Sequence, residues 1–540
     1  MRKGAKGAII GTVFAVMVGG AGYGAFNVVS ALADDGGGTA TVKSGPPSAD
    51  EVKETSAAFF EAWEQGKGGS AAALTNNEAV ATSVFTAYSQ AAHITDVRIT
   101  PKAGTGATVP FSVRATVSYE GKSKPLAYDS TLTVVRGKTT GKPLVDWQPD
   151  VVHPELEDGD TLVTQQSANP PIEAVDRDGK VLTKDKYPSL GPIIDELRAK
   201  YGDKAGGTPG VELSVRHTAT GAADTPLLTL ADGKAGRLET TFSATAQAAA
   251  EKAVKEYDES SVVAVQPSTG DVLAVANNRA DGFDAALQGT VAPGSTMKIV
   301  TAATLIDTGL TTANGPAPCT PDALWEGQTF HNIKGLEPDE SATLSESFAR
   351  SCNTAFIKYV DDLQVDSLTK EAEERFGLGK VNNWQVGVPT FDGSVPASGG
   401  PDMAANMIGQ GQVQMSPLNM ASVTATAITG AFRQPVIVPR DLDGRELATA
   451  KGLSADTVGQ LRAMLNRTAT SGTAAEAMAG AGGGSIGAKT GTAEVDGTEL
   501  TNSWFTGYRN DVAAAAMAEA GGHGGDAAGP IVASVLGAAG

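Results

Sequence analysis

The residues of this chain best placed to do chemistry are Ser295 and Lys298, which follow Pro293 and Gly294. Pro and Gly here indicate the start of a helix, and residues three apart on a helix share a face, so we expect the hydroxyl and the amine to be neighbours. A hydroxyl is a poor nucleophile until a base removes its proton. A Lys amine is such a base when burial, a nearby cation and the helix dipole lower its pKa. The pair therefore predicts a serine nucleophile activated by a lysine.

The same spacing recurs at Ser367 and Lys370, so the pair alone is a weak signal. That second pair lies in an acidic, amphipathic stretch, where a solvated helix face is the better interpretation. Downstream motifs must therefore decide between the two pairs.

Two further groups lie downstream of Ser295. Residues 351–353 read Ser-Cys-Asn, in the middle of a stretch, 344–360, that we expect to be helical, and residues 489–492 read Lys-Thr-Gly-Thr after a Gly-rich approach. Another Ser-x-Asn, at 167–169, precedes Ser295 and is therefore in the wrong order. The chain holds Ser-x-x-Lys, Ser-x-Asn and Lys-Thr-Gly in that order, and chance coincidence of all three is improbable.

Composition excludes several classes of partner and cofactor. The 540 residues carry a formal net charge of −19 without basic runs, which argues against nucleic acid because phosphate binding needs clustered Lys and Arg. Five His and two Cys lie too far apart in sequence to suggest a metal site. With 41% hydrophobic and 19% charged residues, the chain is expected to fold into several domains.

The N-terminus carries a targeting signal. Residues 1–6 contain three basic side chains and precede an uncharged, largely apolar run, 7–33, long enough to cross a bilayer. We expect a cytoplasmic tail, a transmembrane anchor, and everything after the anchor outside the cytosol. The competing interpretation is a signal peptide cleaved after Ala31, Leu32 and Ala33.

Beyond the anchor, the sequence pattern predicts a multidomain α+β protein. A Gly-, Ser- and Pro-containing linker, 34–47, leads to a domain at 48–155, in which helices are followed by alternating strands. A small connecting, dimerisation-like domain, with short strands, covers 156–235. The last domain, 236–540, opens with a helix and a strand-turn-strand unit and continues with helical segments and few strands.

The ordered triple resembles the signature of the serine penicillin-recognising enzymes, which are the penicillin-binding proteins and the serine β-lactamases. Residues 263–276 are similar to the strand and turn that open the transpeptidase domain of that family, residues 409–411 to its Gly-Gln-Gly segment, and residues 504–507 to the strand after Lys-Thr-Gly. Region 48–155 is similar to the NTF2-like domain of methicillin-resistance-type class B penicillin-binding proteins. The resemblance implies a penicillin-binding/β-lactamase-like domain, an antiparallel sheet with helices.

The connecting domain departs from the family pattern. The expected Arg-Gly is replaced by Pro170 and Pro171, although residues 176–179 fit. The boundaries of this domain are therefore the least constrained.

Carried over residue by residue, the resemblance makes Ser295 the acylated nucleophile and Lys298 its base. It implies that Ser351 relays a proton to the leaving group and that Asn353 holds the substrate amide. Because Cys352 lies between these two positions, we expect its side chain to point away from the cleft.

The resemblance also assigns the binding of the substrate. Lys489, with Thr490 and Thr492, would bind the terminal carboxylate of a peptide, as a point cation flanked by hydroxyls can do. The backbone N–H groups of Ser295 and Thr492 would form the oxyanion hole. Gly491 would leave the strand edge open to a substrate.

The chain has two cysteines, Cys319 and Cys352. Since the domain is expected in an oxidising compartment, we predict a disulfide between them. The alternative is two unrelated thiols, with Cys352 a small buried residue.

Two other motifs compete. Residues 483–487 match the G-x-S-x-G elbow of α/β-hydrolases around Ser485, but Gly and Ala precede them, a strand is expected after them, and His523 is the sole downstream His. Residues 487–490 imitate a phosphate-binding loop but place Ala before the Lys. Neither context favours its motif.

The resemblance implies a single-pass D,D-transpeptidase of the bacterial cell membrane, with an extracytoplasmic catalytic domain that cross-links peptidoglycan stem peptides through a serine acyl-enzyme. Its substrates would be stem peptides on lipid-linked or nascent glycan, its covalent inhibitors β-lactams, and its partner a glycan polymerase, without cofactor or metal. A serine β-lactamase, or a catalytically weak β-lactam-binding scaffold protein of the same fold, is the alternative.

Overall fold

The computed structural model describes residues 45–167, 170–379, 383–494 and 500–540. The predicted tail and anchor at 1–33, and most of the linker, lie outside these residues. From residue 45 onward, the described helices include none that is both long and apolar enough to cross a bilayer. The described residues divide into two compact units. The first contains those from 45 to Thr86, Asp96–Arg114 and Ala127–Pro154, and the second contains those within Ala87–Thr95, Ala115–Leu126 and Glu155–Gly540.

The N-terminal elements have the predicted order of helices before strands. Ser48 caps the first helix in a reciprocal pair with Glu51, and Gly66, at φ 68°, follows its end. The elements are α1 (Ala49–Glu64), α2 (Gly68–Ala72), α3 (Glu78–Thr86), a π-helical turn (Ala87–Ala91), β1 (Ile94–Pro101), β2 (Thr108–Tyr119), β3 (Lys122–Arg136) and β4 (Pro143–Val145), the strands forming a sheet in the order β1-β2-β3-β4.

The core of the first unit is aromatic. Phe59 on α1 contacts the rings of Phe60, Trp63 and Phe85, and Phe111 on β2 contacts Phe60 at a centroid distance of 4.8 Å. All five side chains are buried. The aromatic residues of α1 therefore form the face of the helix that packs into the core.

A second group of elements precedes the largest sheet. β5, β7 and β8 form one antiparallel sheet, and β6 pairs with β9 in parallel. The elements are β5 (Thr161–Gln166), β6 (Ile172–Val175), α4 (Leu190–Tyr201), β7 (Val211–Arg216), β8 (Thr225–Ala231) and β9 (Gly236–Glu239).

The second unit is organised around a five-stranded antiparallel sheet in the order β11-β10-β16-β15-β14, with β14 at an edge. Its strands are β10 (Ser260–Val265), β11 (Val272–Asn278), β14 (Ile486–Glu494), β15 (Thr501–Arg509) and β16 (Val512–Ala518), and a separate hairpin contains β12 (Asp322–Trp325) and β13 (Gln328–His331). The helices are α5 (Ala244–Val254), α6 (Ala285–Gln288), α7 (Lys298–Asp307), α8 (Leu344–Ala349), α9 (Thr354–Ile357), α10 (Ser367–Glu374), α11 (Pro401–Met407), α12 (Pro417–Thr429), α13 (Ala455–Ser471), α14 (Ala475–Met478) and α15 (Ala528–Ala539).

Helices cover both faces of this sheet. On β10, Val263 belongs to the cluster that contains α7, whereas Val262 and Ala264 belong to the cluster that contains α5 and α15. Successive strand residues point to opposite faces, so this alternation sorts the two cores. The fold is thus α+β, as predicted, with α7 buried on one face of the sheet.

The predicted helix at 344–360 is wrong in its middle. α8 ends at Ala349, α9 begins at Thr354, and Ser351 between them adopts a left-handed backbone, with φ 59°. Likewise, Ser295 lies in a 3-10 turn, Gly294–Met297, that immediately precedes α7. Ser351 and Ser295 both lie where contacts with distant parts of the chain determine the backbone conformation.

Candidate active site

The turn that carries Ser295 is packed tightly against strand β14. Gly294 has φ 53°, and a Cβ added to it would lie 2.4 Å from the carbonyl oxygen of Thr492. Gly294 N also donates to the carbonyl oxygen of Gly409 over 2.9 Å. A side chain at position 294 would push the turn away from the strand, so this glycine keeps Ser295 beside Thr492.

Lys298 is at the centre of a hydrogen-bond cluster. Its Nζ lies 2.9 Å from Oγ of Ser295, and it donates to the carbonyl oxygen of Ser351 over 2.8 Å and to Oδ1 of Asn353 over 2.6 Å. The residue is 0% exposed. Burial first, and then the nearby charge of Lys489, hold the pKa of Lys298 well below its usual value.

Ser351 connects the two lysines because its carbonyl faces Lys298 and its hydroxyl faces Lys489. Lys489 Nζ donates to Oγ of Ser351 over 2.8 Å and to the carbonyl oxygen of Thr490 over 2.9 Å. Lys489 is also 0% exposed, and burial lowers its pKa to about 7. The left-handed backbone of Ser351 is the kind of strained conformation that surrounding contacts must hold in place.

A cleft of about 1130 Å³ opens onto this cluster. Ser295, Ser351, Asn353, Thr490 and Thr492 line it, so hydroxyl and amide groups face its interior. The hydroxyl of Thr490 is fixed by a 2.6 Å hydrogen bond with Oγ1 of Thr473. The structure thus brings together Ser295, Lys298, Ser351, Asn353 and Lys489 in one bonded cluster, and places Thr490 and Thr492 on the wall of the same cleft.

Gly491 was expected to leave room for a substrate, but the space where its side chain would lie is occupied by the protein itself. A Cβ added to Gly491 would lie 2.8 Å from the carbonyl oxygen of Pro293, 2.9 Å from Cγ2 of Thr296 and 2.9 Å from Cβ of Trp504. The missing side chain therefore makes room for the protein's own turn and for the neighbouring strand. Space for a substrate is not what these contacts show.

The predicted disulfide between Cys319 and Cys352 is present. Both cysteines are buried, and Cys352 is not among the residues that line the cleft, as expected for a side chain directed away from it. The bond connects the chain just before β12 to the segment that carries Ser351 and Asn353.

The two competing serine motifs lie in surroundings that do not suit a nucleophile, as predicted. Ser367 begins α10, and Lys370 forms an exposed 2.7 Å ion pair with Asp366 one turn earlier. Ser485 is exposed and precedes strand β14, whereas a nucleophile elbow needs a strand before it and a helix after it.

Sequence reasoning missed two residues of the site. Thr473 bonds Thr490, and Asn332, directly after β13, bonds the segment around Asn353. Neither residue belongs to a motif, and each becomes a neighbour of the cluster through tertiary contacts alone. No sequence signal in this chain could have identified them.

Two family matches agree with this geometry. Residues 260–537 match the penicillin binding protein transpeptidase domain, and residues 51–160 match the NTF2-like N-terminal transpeptidase domain. The chain belongs to the penicillin-binding protein transpeptidase family. With both domains present, this penicillin-binding protein is of class B.

Curated relatives and solved structures are similar to this penicillin-binding protein. The peptidoglycan D,D-transpeptidase PbpA of Mycolicibacterium smegmatis is 30% identical, over 57% of this chain and 72% of the relative. Penicillin-binding protein 3 of Bacillus subtilis is 26% identical, and the match spans about half, 51%, of its length. The crystal structure of Pseudomonas aeruginosa PBP2 in complex with WCK 5153 has a TM-score of 0.54 at 21% identity, covering 68% of this chain and 96% of that one, which supports the fold.

Proposed function

We propose that this penicillin-binding protein cross-links peptidoglycan stem peptides as a D,D-transpeptidase, with Ser295 as the nucleophile. The family and the relatives named peptidoglycan D,D-transpeptidase support the activity. The observation that carries the site assignment is the buried amine of Lys298, 2.9 Å from Oγ of Ser295, with a pKa held well below its usual value. A neutral amine at this distance is a base for the serine proton.

Acylation follows from this arrangement. Oγ of Ser295 attacks the carbonyl carbon of the donor peptide bond while its proton passes to Nζ of Lys298. The N–H groups of Ser295 and Thr492 would stabilise the oxyanion, and the packing of Gly294 against Thr492 brings these two backbone segments together. Collapse of the tetrahedral intermediate breaks the peptide bond and leaves an ester on Ser295.

The leaving amine takes a proton from the hydroxyl of Ser351, and the proton that Lys298 removed from Ser295 replaces it, which leaves Lys298 neutral again. Ser351 contacts both Lys298 and Lys489. The acceptor amine of a second peptide then attacks the ester, gives up its proton and regenerates the hydroxyl of Ser295. One peptide bond is broken and one is formed, so the exchange needs no external energy source.

Strand β14 carries the residues that would recognise the terminal carboxylate of the donor peptide. Lys489, Thr490 and Thr492 would bind the donor's terminal carboxylate, with the ammonium as point charge and the hydroxyls as donors. Asn353, which lines the cleft, would hold a backbone amide of the donor. Since β14 is the edge strand of its sheet, an extended peptide could also pair with its backbone.

Residues 7–33 would hold the enzyme at the membrane, as a single-pass anchor with the catalytic domain outside the cytosol, because basic residues precede an apolar run of spanning length. The divisions at 48–155, 156–235 and 236–540 stay predictions. A polymerase that builds the glycan is the partner this activity requires, and one structural neighbour with a TM-score of 0.52 comes from a peptidoglycan synthase complex that coordinates polymerization and crosslinking.

The decisive experiment is intact mass after incubation with benzylpenicillin, followed by peptide mapping and by the decay of the adduct once free drug is removed. One penicilloyl group on the peptide containing Ser295, stable for minutes or longer, is expected. An adduct lost within seconds, with many turnovers of a chromogenic cephalosporin, would identify a β-lactamase instead. A class A β-lactamase also needs a Glu that activates water for deacylation. Glu346 is held by Thr343 and by a 3.0 Å bond from Arg467, outside the cluster, whereas Glu494 lines the cleft.

A further inference from the structure

The short helix α9 starts at the active site without help from its own cap residue. Asn353 is its N-cap, a position where an Asn side chain usually accepts a hydrogen bond from the first N–H groups of the helix. Here the side chain makes no such bond. Its Oδ1 accepts from Lys298 over 2.6 Å, and its Nδ2 donates to the carbonyl oxygen of His331 over 2.9 Å.

The first two N–H groups of this segment are bound from elsewhere in the chain. Oδ1 of Asn332 accepts from the backbone N of Asn353 over 2.8 Å and from that of Thr354 over 3.2 Å. Nδ2 of Asn332 donates to the carbonyl oxygen of Thr320 over 2.8 Å, which fixes the orientation of the amide. The side chain of Asn332 therefore anchors the backbone from which the Asn353 side chain reaches Lys298.

We propose that Asn332 is a positioning residue for acylation, because it holds the backbone N–H groups of Asn353 and Thr354 and so fixes the Asn353 amide against Lys298. The inference rests on the proposed function, in which Lys298 is the base for Ser295. It concerns how the base is kept in place and assigns Asn332 no contact with the reacting atoms.

Removing this anchor has a predictable electrostatic consequence. In Asn332→Ala, the backbone of Asn353 loses its partner and the Asn353 amide is expected to move away, which takes an acceptor from Lys298. A hydrogen bond that accepts from an ammonium favours the charged form, so its loss lowers the pKa of Lys298. The acylation rate constant falls on the acid side of its pH profile, where Lys298 must lose its proton, and this acid limb then moves to lower pH. The misplaced base also slows acylation by about 10- to 100-fold.

Asn332→Asp gives the opposite shift. A carboxylate still accepts from the N–H groups of Asn353 and Thr354, although it cannot donate to the carbonyl oxygen of Thr320. The new negative charge next to Asn353 favours the ammonium form of Lys298 and moves the acid limb to higher pH. The other ionisable groups to consider are Lys489 on β14, which acts on Lys298, and the exposed His331, which pairs with Asp322 over 2.6 Å.

The test is the second-order rate constant for labelling by a fluorescent penicillin, measured against pH for the full chain and both variants, with the melting temperature of each. Opposite displacements of the acid limb are expected. Asn419→Ala is the matched control, since Asn419 also bridges two segments, accepting from N of Ser416 and donating to the carbonyl oxygen of Phe391, each over 2.8 Å. It should lower the melting temperature and keep the wild-type pH profile.

An unchanged pH profile in both Asn332 variants, or shifts in the same direction, would overturn the proposal, because a merely structural role lowers the folded fraction without moving the limb. If Asn332→Ala does not fold, Asn332→Ser takes its place, because serine is too short to keep both backbone bonds, and the same displacement to lower pH is expected. Wild-type protein that takes no label would contradict the proposed function itself, which separates the two failures.

Discussion

Lys489 donates a hydrogen bond to Oγ of Ser351 over 2.8 Å, although 138 residues separate them in the chain. The carbonyl oxygen of the same serine accepts from Lys298 over 2.8 Å. Two buried lysines thus share one residue, and the charge of Lys489 raises the cost of charging Lys298. This arrangement favours the neutral amine next to Ser295, as the proposed role of Lys298 as a base requires.

The nucleophile can be tested by removing its hydroxyl. Ser295→Ala should abolish covalent labelling by a fluorescent penicillin in a protein that keeps its fold by circular dichroism. Lys298→Ala should be nearly as severe, with a loss of about 10³-fold or more, because nucleophile and base act as one unit. Ser485→Ala and Ser367→Ala are the matched controls and should label normally. Labelling that persists in folded Ser295→Ala protein would contradict the mechanism.

Replacing the second lysine should have two separable effects. Lys489→Met keeps a buried chain of similar size but removes the cation, so acylation should fall by about 10²-fold as carboxylate binding is lost. Because the charge of Lys489 helps to lower the pKa of Lys298, its removal should also raise that pKa and move the acid limb of acylation to higher pH. Rate constants against pH give both quantities. An acid limb that stays in place would show that burial alone sets the pKa of Lys298.

The disulfide should be detectable chemically and should stabilise the fold. Thiol titration of the denatured, unreduced protein should find no free thiol, since Cys319 and Cys352 are bonded. The bond closes a separation of 33 residues, for which chain entropy gives about 3–4 kcal/mol of stability. The double variant Cys319→Ser with Cys352→Ser should therefore unfold at lower denaturant concentration. Two titratable thiols in the wild-type protein would refute the bond.

Glu371 on α10 should make stability depend on pH. Burial first, and then the nearby charge of Asp307, raise the pKa of Glu371 to about 8 from an ordinary value of 4.5. An acid with a raised folded pKa binds its proton more tightly in the folded state, so stability falls as pH rises from about 4.5 to about 8.

The isosteric change Glu371→Gln removes this loss. It should stabilise the protein by at least about 1 kcal/mol above pH 8 and change little near pH 5, where the glutamic acid is already neutral. Urea unfolding at the two pH values measures the difference. The exposed Glu374, paired with Lys451, is the control position, and Glu374→Gln should show no gain at high pH. Equal effects of Glu371→Gln at both pH values would rule out a buried neutral acid.

Much of the site could be predicted from sequence because its residues fall in short motifs with local meaning. The Pro-Gly start before Ser295 and the alternating strands depend on neighbours within a few residues, and the structure has both. The pair Cys319 and Cys352 followed from number and compartment, since two cysteines allow one intramolecular pairing. The ordered triple also identified the family.

Tertiary structure alone decided how those motifs act. Local propensity favours an unbroken helix through Ser351, but Lys489 and the side chain of Asn332 hold a left-handed break there, and both come from distant parts of the chain. The lowered pKa of Lys298 depends on burial and on a second lysine that only folding brings near. Gly491 shows the same limit, because the backbone of Pro293 is what leaves no room for a side chain. Sequence specifies which groups are present and in what order, whereas distance, burial and charge between remote groups exist only once the chain has packed.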